Sequence, residues 1–200
     1  MRYKTKNETR EYKKRFNSAM EYVQNKIPDL SFYYRLIGSG KRNLVIDKPN
    51  KGFDLDYQII FYHSLSGLKS QELIAIKDRF RKSFDEFFVE KGYKHGEDST
   101  SAITIVKLNG NKIDHSYDIT LMSPNANGSL SIMKYQDSDK TTMGLNEMKK
   151  SIEFNKKYNA IKGASKWKEL RDKYLEKQKR NNGDKKSFSL LLEVVNDIEL

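Results

Sequence analysis

The spacing of the large apolar residues constrains this chain most, because it switches between a helical and a strand period. Tyr12, Phe16, Met20, Val23 and Ile27 recur every three or four residues, marking one stripe of a helix over about 7–26 that Pro28 ends. Leu73, Ile76, Phe80, Phe84 and Phe87 repeat the pattern over about 71–91, with Ser70 as N-cap and Gly92 as C-cap. Both stripes are expected to face a core. Between them, Ser31–Ile37 is a short β-prone run stopped by Gly38-Ser39-Gly40, and Lys41-Arg42-Asn43 reads as a basic turn. After a polar loop, Phe53–Tyr62 begins with strict alternation, as a strand with one buried face should. Hydrophobic content of 36% and a mean hydropathy of −0.83 would permit disorder. The 12 tyrosines, 10 phenylalanines and single tryptophan argue against it, since disordered chains are poor in aromatics.

Further along, Ser101–Leu108 and Lys112–Met122 flank Asn109-Gly110-Asn111, a hairpin signal, and Ser129–Tyr135 adds a strand. From Thr142 onward the pattern reads as helical, in pieces near Leu145–Tyr158, Ser165–Lys179 and Lys186–Ile198, with a loop over 180–184. The expected fold is α+β: a mixed or antiparallel sheet flanked by helices, with a helical C-terminal tail. Residues 1–140 form the core with its N-terminal helix, and 141–200 form a helical segment packing on it. Trp167, Leu170, Tyr174 and Leu175 give that segment an apolar stripe.

Several function classes are excluded at once. The absence of cysteine rules out disulfide frameworks, Cys-ligated zinc, iron–sulfur clusters and thiol catalysis. No apolar run approaches a membrane span and none resembles a signal peptide, so a cytoplasmic protein without a membrane partner is expected. The net charge of +11 and pI near 9.5 suit a phosphate-bearing partner. Gly38-Ser39-Gly40-Lys41 matches neither a P-loop nor a dinucleotide-binding fingerprint.

The informative constellation is Gly38-Ser39, then Asp54-Leu55-Asp56, then Asp118 on a later strand. Asp54 and Asp56 stand two apart on one strand, so both carboxylates leave the same face, about 6.5–7 Å apart. Like charges this close call for a cation between them, and a pair of divalent ions is also a phosphoryl-transfer device. Asp114, Ser116 and Asp118 share strand parity, so the third acid is Asp118 or Asp114. The apolar neighbours Ile119, Leu121 and Met122 favour Asp118, while Asp114 lies nearer the hairpin turn. Gly38 permits close backbone approach, and Ser39 offers a hydroxyl and an N–H to a phosphate oxygen.

This pattern resembles the DNA polymerase β-type nucleotidyltransferase superfamily. With its Gly-Ser, nearby basic residues and long spacer it is similar to the branch of poly(A) polymerases, oligoadenylate synthases and bacterial cyclic-oligonucleotide synthases. The resemblance runs from about Phe32 to Met122, and Trp167-Lys168-Glu169-Leu170-Arg171 adds a weak match in the tail. It implies transfer of a nucleoside monophosphate from an NTP to a hydroxyl acceptor, with release of pyrophosphate. The acceptor would be a nucleotide, an RNA or a protein. It also implies two Mg²⁺ or Mn²⁺ ions held by Asp54 and Asp56, with Asp118 on the catalytic ion alone. Gly38, Ser39, Lys41 and Arg42 would then bind the β- and γ-phosphates, and a lysine among Lys149, Lys150, Lys156 and Lys157 would grip the triphosphate. The sequence leaves two other readings open. One is a basic nucleic-acid-binding module without turnover; the other is an antitoxin-like partner protein of the same fold. His63, His95 and His115 show no ligand spacing and read as surface residues. Phe32-Tyr33-Tyr34 reads as buried strand before it reads as a base-stacking site.

Overall fold

Strand alternation and helical stripes meet on one sheet. The computed structural model describes residues 1–148, 152–181 and 185–200. In chain order the first elements are β1 (Arg2–Tyr3), α1 (Lys6–Lys26), β2 (Phe32–Leu36), α2 (Gly38–Arg42), β3 (Ile46–Asp47), β4 (Phe53–Phe61) and α3 (Ser70–Val89). There follow β5 (Glu97–Asp98), β6 (Ala102–Asn109), β7 (Lys112–Pro124), β8 (Leu130–Tyr135) and β9 (Met143–Glu147). Helices α4 (Ile152–Gly163), α5 (Trp167–Arg180) and α6 (Ser187–Asp197) complete the chain. The chain divides into two units, Lys4–Met148 and a second made of Met1–Tyr3 with Lys149–Leu200.

In the larger unit a seven-stranded sheet runs β2-β4-β7-β6-β5, with β8 on β7 and β9 on β8. The pair β4–β7 is parallel, and the other pairs are antiparallel. Phe53, Leu55, Tyr57, Ile59 and Phe61 of β4 join Tyr117, Ile119 and Leu121 of β7 on one face, where the stripes of α1 and α3 cover them. Phe16 of α1 stacks on Tyr57 at 3.6 Å between ring centroids, and Phe88 of α3 lies 5.4 Å from Tyr117. Helix α1 starts with a capping box: Glu8 N–H donates to the Thr5 hydroxyl at 3.2 Å, and Thr5 N–H donates to Glu8 Oε2 at 2.7 Å. Lys77 is buried in α3, a placement tolerable because Asp98 pairs with it at 2.6 Å and the Ser99 carbonyl accepts at 2.8 Å.

The structure corrects the sequence reading in several places. The residue closing the α3 stripe is Phe88, fully buried, whereas Phe87 is only partly buried. Lys69, not Ser70, is the N-cap of α3, and the Ser70 hydroxyl instead accepts the Met143 N–H at 2.7 Å. Gly38-Ser39-Gly40-Lys41-Arg42 is not a stop and a turn but one helical turn, ended by Asn43 in the left-handed region. The stretch after Thr142 begins with a strand, because Met143 and Leu145 fall opposite Tyr135 and Met133 of β8. The predicted first tail helix therefore does not begin at Leu145 and is described from Ile152; residues 149–151, with Lys149 and Lys150, lie outside the described residues. The hairpin is where Asn109-Gly110-Asn111 puts it, with Asn109 paired to Lys112 and Gly110 at φ +60°.

In the smaller unit, α4, α5 and α6 bury Phe154, Tyr158, Ile161, Leu170, Tyr174, Leu190, Leu191, Val194 and Val195. Tyr158 meets Trp167 edge-on at 5.8 Å, and the Tyr3 hydroxyl donates to the Arg171 carbonyl at 2.7 Å. Residues 182–184 of the expected loop lie outside the described residues.

Two phenylalanines one residue apart test the phase of α3. Phe88→Ala should cost about 3–5 kcal/mol in a urea titration, the range for emptying an aromatic core site. Phe87→Ala should cost well under half as much, and the reverse order would show that the stripe is turned by one residue.

Candidate active site

The face of the sheet turned away from α1 and α3 carries the acids. Asp54, Asp56 and Gln58 alternate with the core residues of β4, and Ser116, Asp118 and Thr120 do so on β7. The parallel register sets Asp54 opposite Ser116 and Asp56 opposite Asp118. Ser116 donates its hydroxyl to Asp54 Oδ1 at 2.5 Å, and Thr104 of β6 donates to Asp118 Oδ1 at 2.7 Å. These neutral groups orient the two carboxylates without cancelling their charge. Strand parity already put Ser116 on this face, but nothing in the sequence marked Thr104, which depends on the register of β6 on β7.

The Gly-Ser turn is built against Asp56. Leu36 pairs with Tyr57, and Ile37 N–H donates to the Asp56 carbonyl at 2.9 Å, so the chain reaches Gly38 level with Asp56. Gly38 sits at φ +57°, and a Cβ there would fall 2.1 Å from Asp56 Oδ2. Only glycine fits both the backbone angle and the space. Gly40 is constrained on the other side, where a Cβ would come within 2.9 Å of Leu36 and 3.1 Å of Leu55. This packing explains why a glycine-rich segment closes into a helical turn that propensity alone disfavours.

Burial, then Asp118, then Asp54 push the Asp56 carboxyl up to about 6, while the Ser39 backbone N–H pulls it down. Burial also raises the Asp118 carboxyl, against the Thr104 hydrogen bond. Among the described residues no lysine or arginine forms an ion pair with Asp54, Asp56 or Asp118. Nor do three carboxylate or imidazole groups among them already ring a metal-sized point. Asp54 and Asp118 each have one oxygen turned sideways onto a hydroxyl.

The remaining expected site residues are placed as follows. Lys41 is exposed at the end of α2, and Arg42 Nη1 donates to the Gly38 carbonyl at 3.2 Å, bracing the turn. Asp114 lies two residues beyond Ser116 and accepts from His115 Nδ1 at 2.7 Å. His115 is not a surface residue: it is 0% exposed, with its other ring nitrogen 2.9 Å from the Tyr93 hydroxyl. Burial lowers its pKa, so the neutral ring donates to Asp114 and accepts from Tyr93. His63 and His95 are exposed. No described helix is long and apolar enough to cross a membrane.

No family model matches the sequence, and no curated protein matches it. Solved structures do match its fold. The CD-NTase CdnG of Bradyrhizobium diazoefficiens in complex with GTP is 15% identical with a TM-score of 0.53, over 77% of this chain and 41% of that one. DncV of Vibrio cholerae bound to 3′-deoxy ATP is 14% identical with a TM-score of 0.56, over 98% of this chain and 54% of that one. DncV of Escherichia coli bound to 3′-deoxy GTP is 13% identical with a TM-score of 0.56, over 99% and 55%. The chain thus spans about half the length of the structures it matches. Its mixed α+β sheet is the fold of the CD-NTase CdnG and of DncV.

Proposed function

We propose that this chain is a metal-dependent nucleotidyltransferase that moves a nucleoside monophosphate from an NTP to a hydroxyl acceptor. One observation carries the reading. Asp56 is pressed between the side-chain-free Gly38 turn and Asp118, beside Asp54, with no described cation paired to any of the three. A fold that concentrates ionised oxygens in this way holds them for a positive ligand. The donors are all hard carboxylate oxygens, which fit Mg²⁺ or Mn²⁺. Asp54 and Asp56 would hold two such ions and Asp118 one of them. When bound, such ions supply Lewis-acid chemistry, lowering the pKa of a hydroxyl and offsetting the charge on departing phosphate. The solved neighbours hold GTP, 3′-deoxy ATP and 3′-deoxy GTP, which supports an NTP as the ligand here.

The chain's own residues then have distinct tasks. Gly38 and Ser39 present backbone and hydroxyl to the β- and γ-phosphates, and Lys41 and Arg42 add positive charge at the same turn. Asp118 has Oδ1 fixed by Thr104 and offers Oδ2 to the acceptor's proton. Its burial makes that oxygen a better proton acceptor than an exposed carboxylate. The acceptor oxygen bonds to the α-phosphorus, the α–β bridging P–O bond breaks, and pyrophosphate leaves with the electron pair. An isolated nucleic-acid-binding role fits less well, since three carboxylates would repel a phosphate backbone unless cations intervene.

Separating the acids by role tests the proposal. Calorimetry should show NTP binding that needs Mg²⁺ and is lost in EDTA. Asp54→Asn and Asp56→Asn should abolish both binding and product formation. Asp118→Asn should keep much of the NTP affinity and lose at least two orders of magnitude in rate, about 2.7 kcal/mol of barrier. Asp114→Asn should stay close to wild type. Four wild-type-like variants in a working assay would sink the metal-site reading.

A metal-free measurement gives an independent check. The folded Asp56 value of about 6 stands above the ordinary 3.8, so its contribution to stability is fully present below pH 3.8 and lost as pH rises through 6. In EDTA at pH 8, Asp56→Asn should therefore unfold at a higher temperature than wild type, by up to about 3 kcal/mol of stability. The gap should close near pH 4. Gly38→Ala should do the opposite, destabilising the chain by about 1–2 kcal/mol from the left-handed backbone alone. It should also weaken NTP binding by displacing Asp56.

A further inference from the structure

The carboxylate face continues past Asp56 into residues with no part in the chemistry above. Gln58 follows two positions along β4, about 6.6 Å away, and pairs across the sheet with Arg35 of β2. Arg35 Nε and Nη2 both donate to Gln58 Oε1, at 2.9 and 2.7 Å. A guanidinium only donates, so this contact fixes the amide and turns Gln58 Nε2 away as a donor. Gln58 is 8% exposed, and its Nε2 meets no acceptor among the described residues. Arg35 likewise pairs with no described carboxylate, so its charge is uncompensated. The pair therefore offers donors and positive charge only, which fits a phosphate.

Beyond Gln58 the strand face itself is covered at Ile60 and Met122, and the open path follows Arg35 of β2 to two exposed rings. Tyr33 pairs opposite Ile60, about 13 Å from Asp56, and Tyr62 lies about 20 Å away. They are 40% and 61% exposed, with ring centroids 5.4 Å apart and planes inclined at 43°. Phe32 and Tyr34, their alternating neighbours, turn to the core, so the run read as buried strand is half buried and half open. Adjacent exposed aromatics beside an unpaired arginine form a stacking platform with a backbone contact, the means by which proteins bind single strands.

We propose that Arg35, Gln58, Tyr33 and Tyr62 hold the acceptor, and that the acceptor is a single-stranded oligonucleotide rather than a lone nucleotide. This rests on the nucleotidyltransferase reading of the acids. With the terminal hydroxyl at Asp118, the adjoining phosphate falls at Arg35 and Gln58, and the preceding bases reach Tyr33 and Tyr62. A lone nucleotide could not span from the acids to the rings.

The test measures two ligands separately: a short fluorescent single-stranded RNA by anisotropy, and Mg²⁺–NTP by calorimetry. Tyr62→Ala and Tyr33→Ala should each weaken RNA binding about tenfold, the lower end of the range for losing one stacked base. Tyr62→Phe, which keeps the ring, should bind as wild type, and Mg²⁺–NTP affinity should not change in any of them. Arg35→Ala should weaken RNA binding and flatten its salt dependence. If removing that partner of Gln58 unfolds the chain, the two exposed tyrosines still decide. RNA affinity unchanged in both tyrosine variants, or no RNA binding by a protein that binds Mg²⁺–NTP, overturns the proposal. RNA binding lost in the tyrosine variants of a protein that never binds Mg²⁺–NTP would keep the strip as a single-strand site and fail the transferase reading instead.

Discussion

The parallel register of β4 on β7 governs both sides of the sheet at once. On the helix-facing side it sets Leu55 beside Tyr117 and Tyr57 beside Ile119, where Phe16, Phe84 and Phe88 close over them. On the other side the same pairing brings Asp56 opposite Asp118. A slip of one residue would exchange the faces, driving carboxylates into an aromatic core. The magnitudes favour the observed arrangement. Crowding and burying Asp56 enough to raise its carboxyl to about 6 costs about 3 kcal/mol when it is ionised. Each buried aromatic or aliphatic side chain returns about 1.5–3 kcal/mol. One or two core side chains therefore offset the electrostatic cost, and the aromatic stripe on one face holds the acids together on the other.

Much of this was legible because period and turn chemistry are local. The α1 stripe, the alternation of Phe53–Phe61 and the Asn109-Gly110 turn each rest on neighbours a few residues away. The parity placing Asp54, Asp56 and Asp118 on strand faces is equally local. What escaped the sequence depends on distant partners. Strand β9 contains Gly144 and Asn146, poor strand formers, and forms because Met143 and Leu145 meet Tyr135 and Met133. His115 is internal because β7 carries it beneath Tyr12 and beside Tyr93, contacts over 100 and 22 residues away. Phe88 rather than Phe87 closes the α3 stripe because Tyr93 and Tyr117 wait on that side. The left-handed Gly38 was foreseeable as a glycine position, but its reason, Asp56 Oδ2 in the space of a side chain, appears only in three dimensions.

Charge follows the same logic at longer range. Among the described residues of this net +11 chain no lysine or arginine forms an ion pair with the three clustered acids, while others pair elsewhere, as Arg79 with Asp29 and Lys177 with Glu193 and Asp197. A positive surface draws in phosphate-bearing ligands over about a Debye length. A negative core of carboxylates would repel those ligands on arrival. On the proposed reading, cations sitting with the acids would reconcile the two tendencies.

Along the carboxylate face, neutral partners do the orienting. Ser116 holds Asp54, Thr104 holds Asp118 and Gln58 holds Arg35, and none of these contacts cancels a charge. Had lysine stood at 116 or glutamate at 58, the same geometry would be fixed by ion pairs and the face would be electrically quiet. Instead it stays negative at Asp54, Asp56 and Asp118 and turns positive at Arg35, within the span of two strand residues. The burial of Asp56 and Asp118 makes their unpaired charges costly to keep, and stability alone would select against them. Their arrangement by hydroxyls and an amide is what a surface requires when ligands are to complete it.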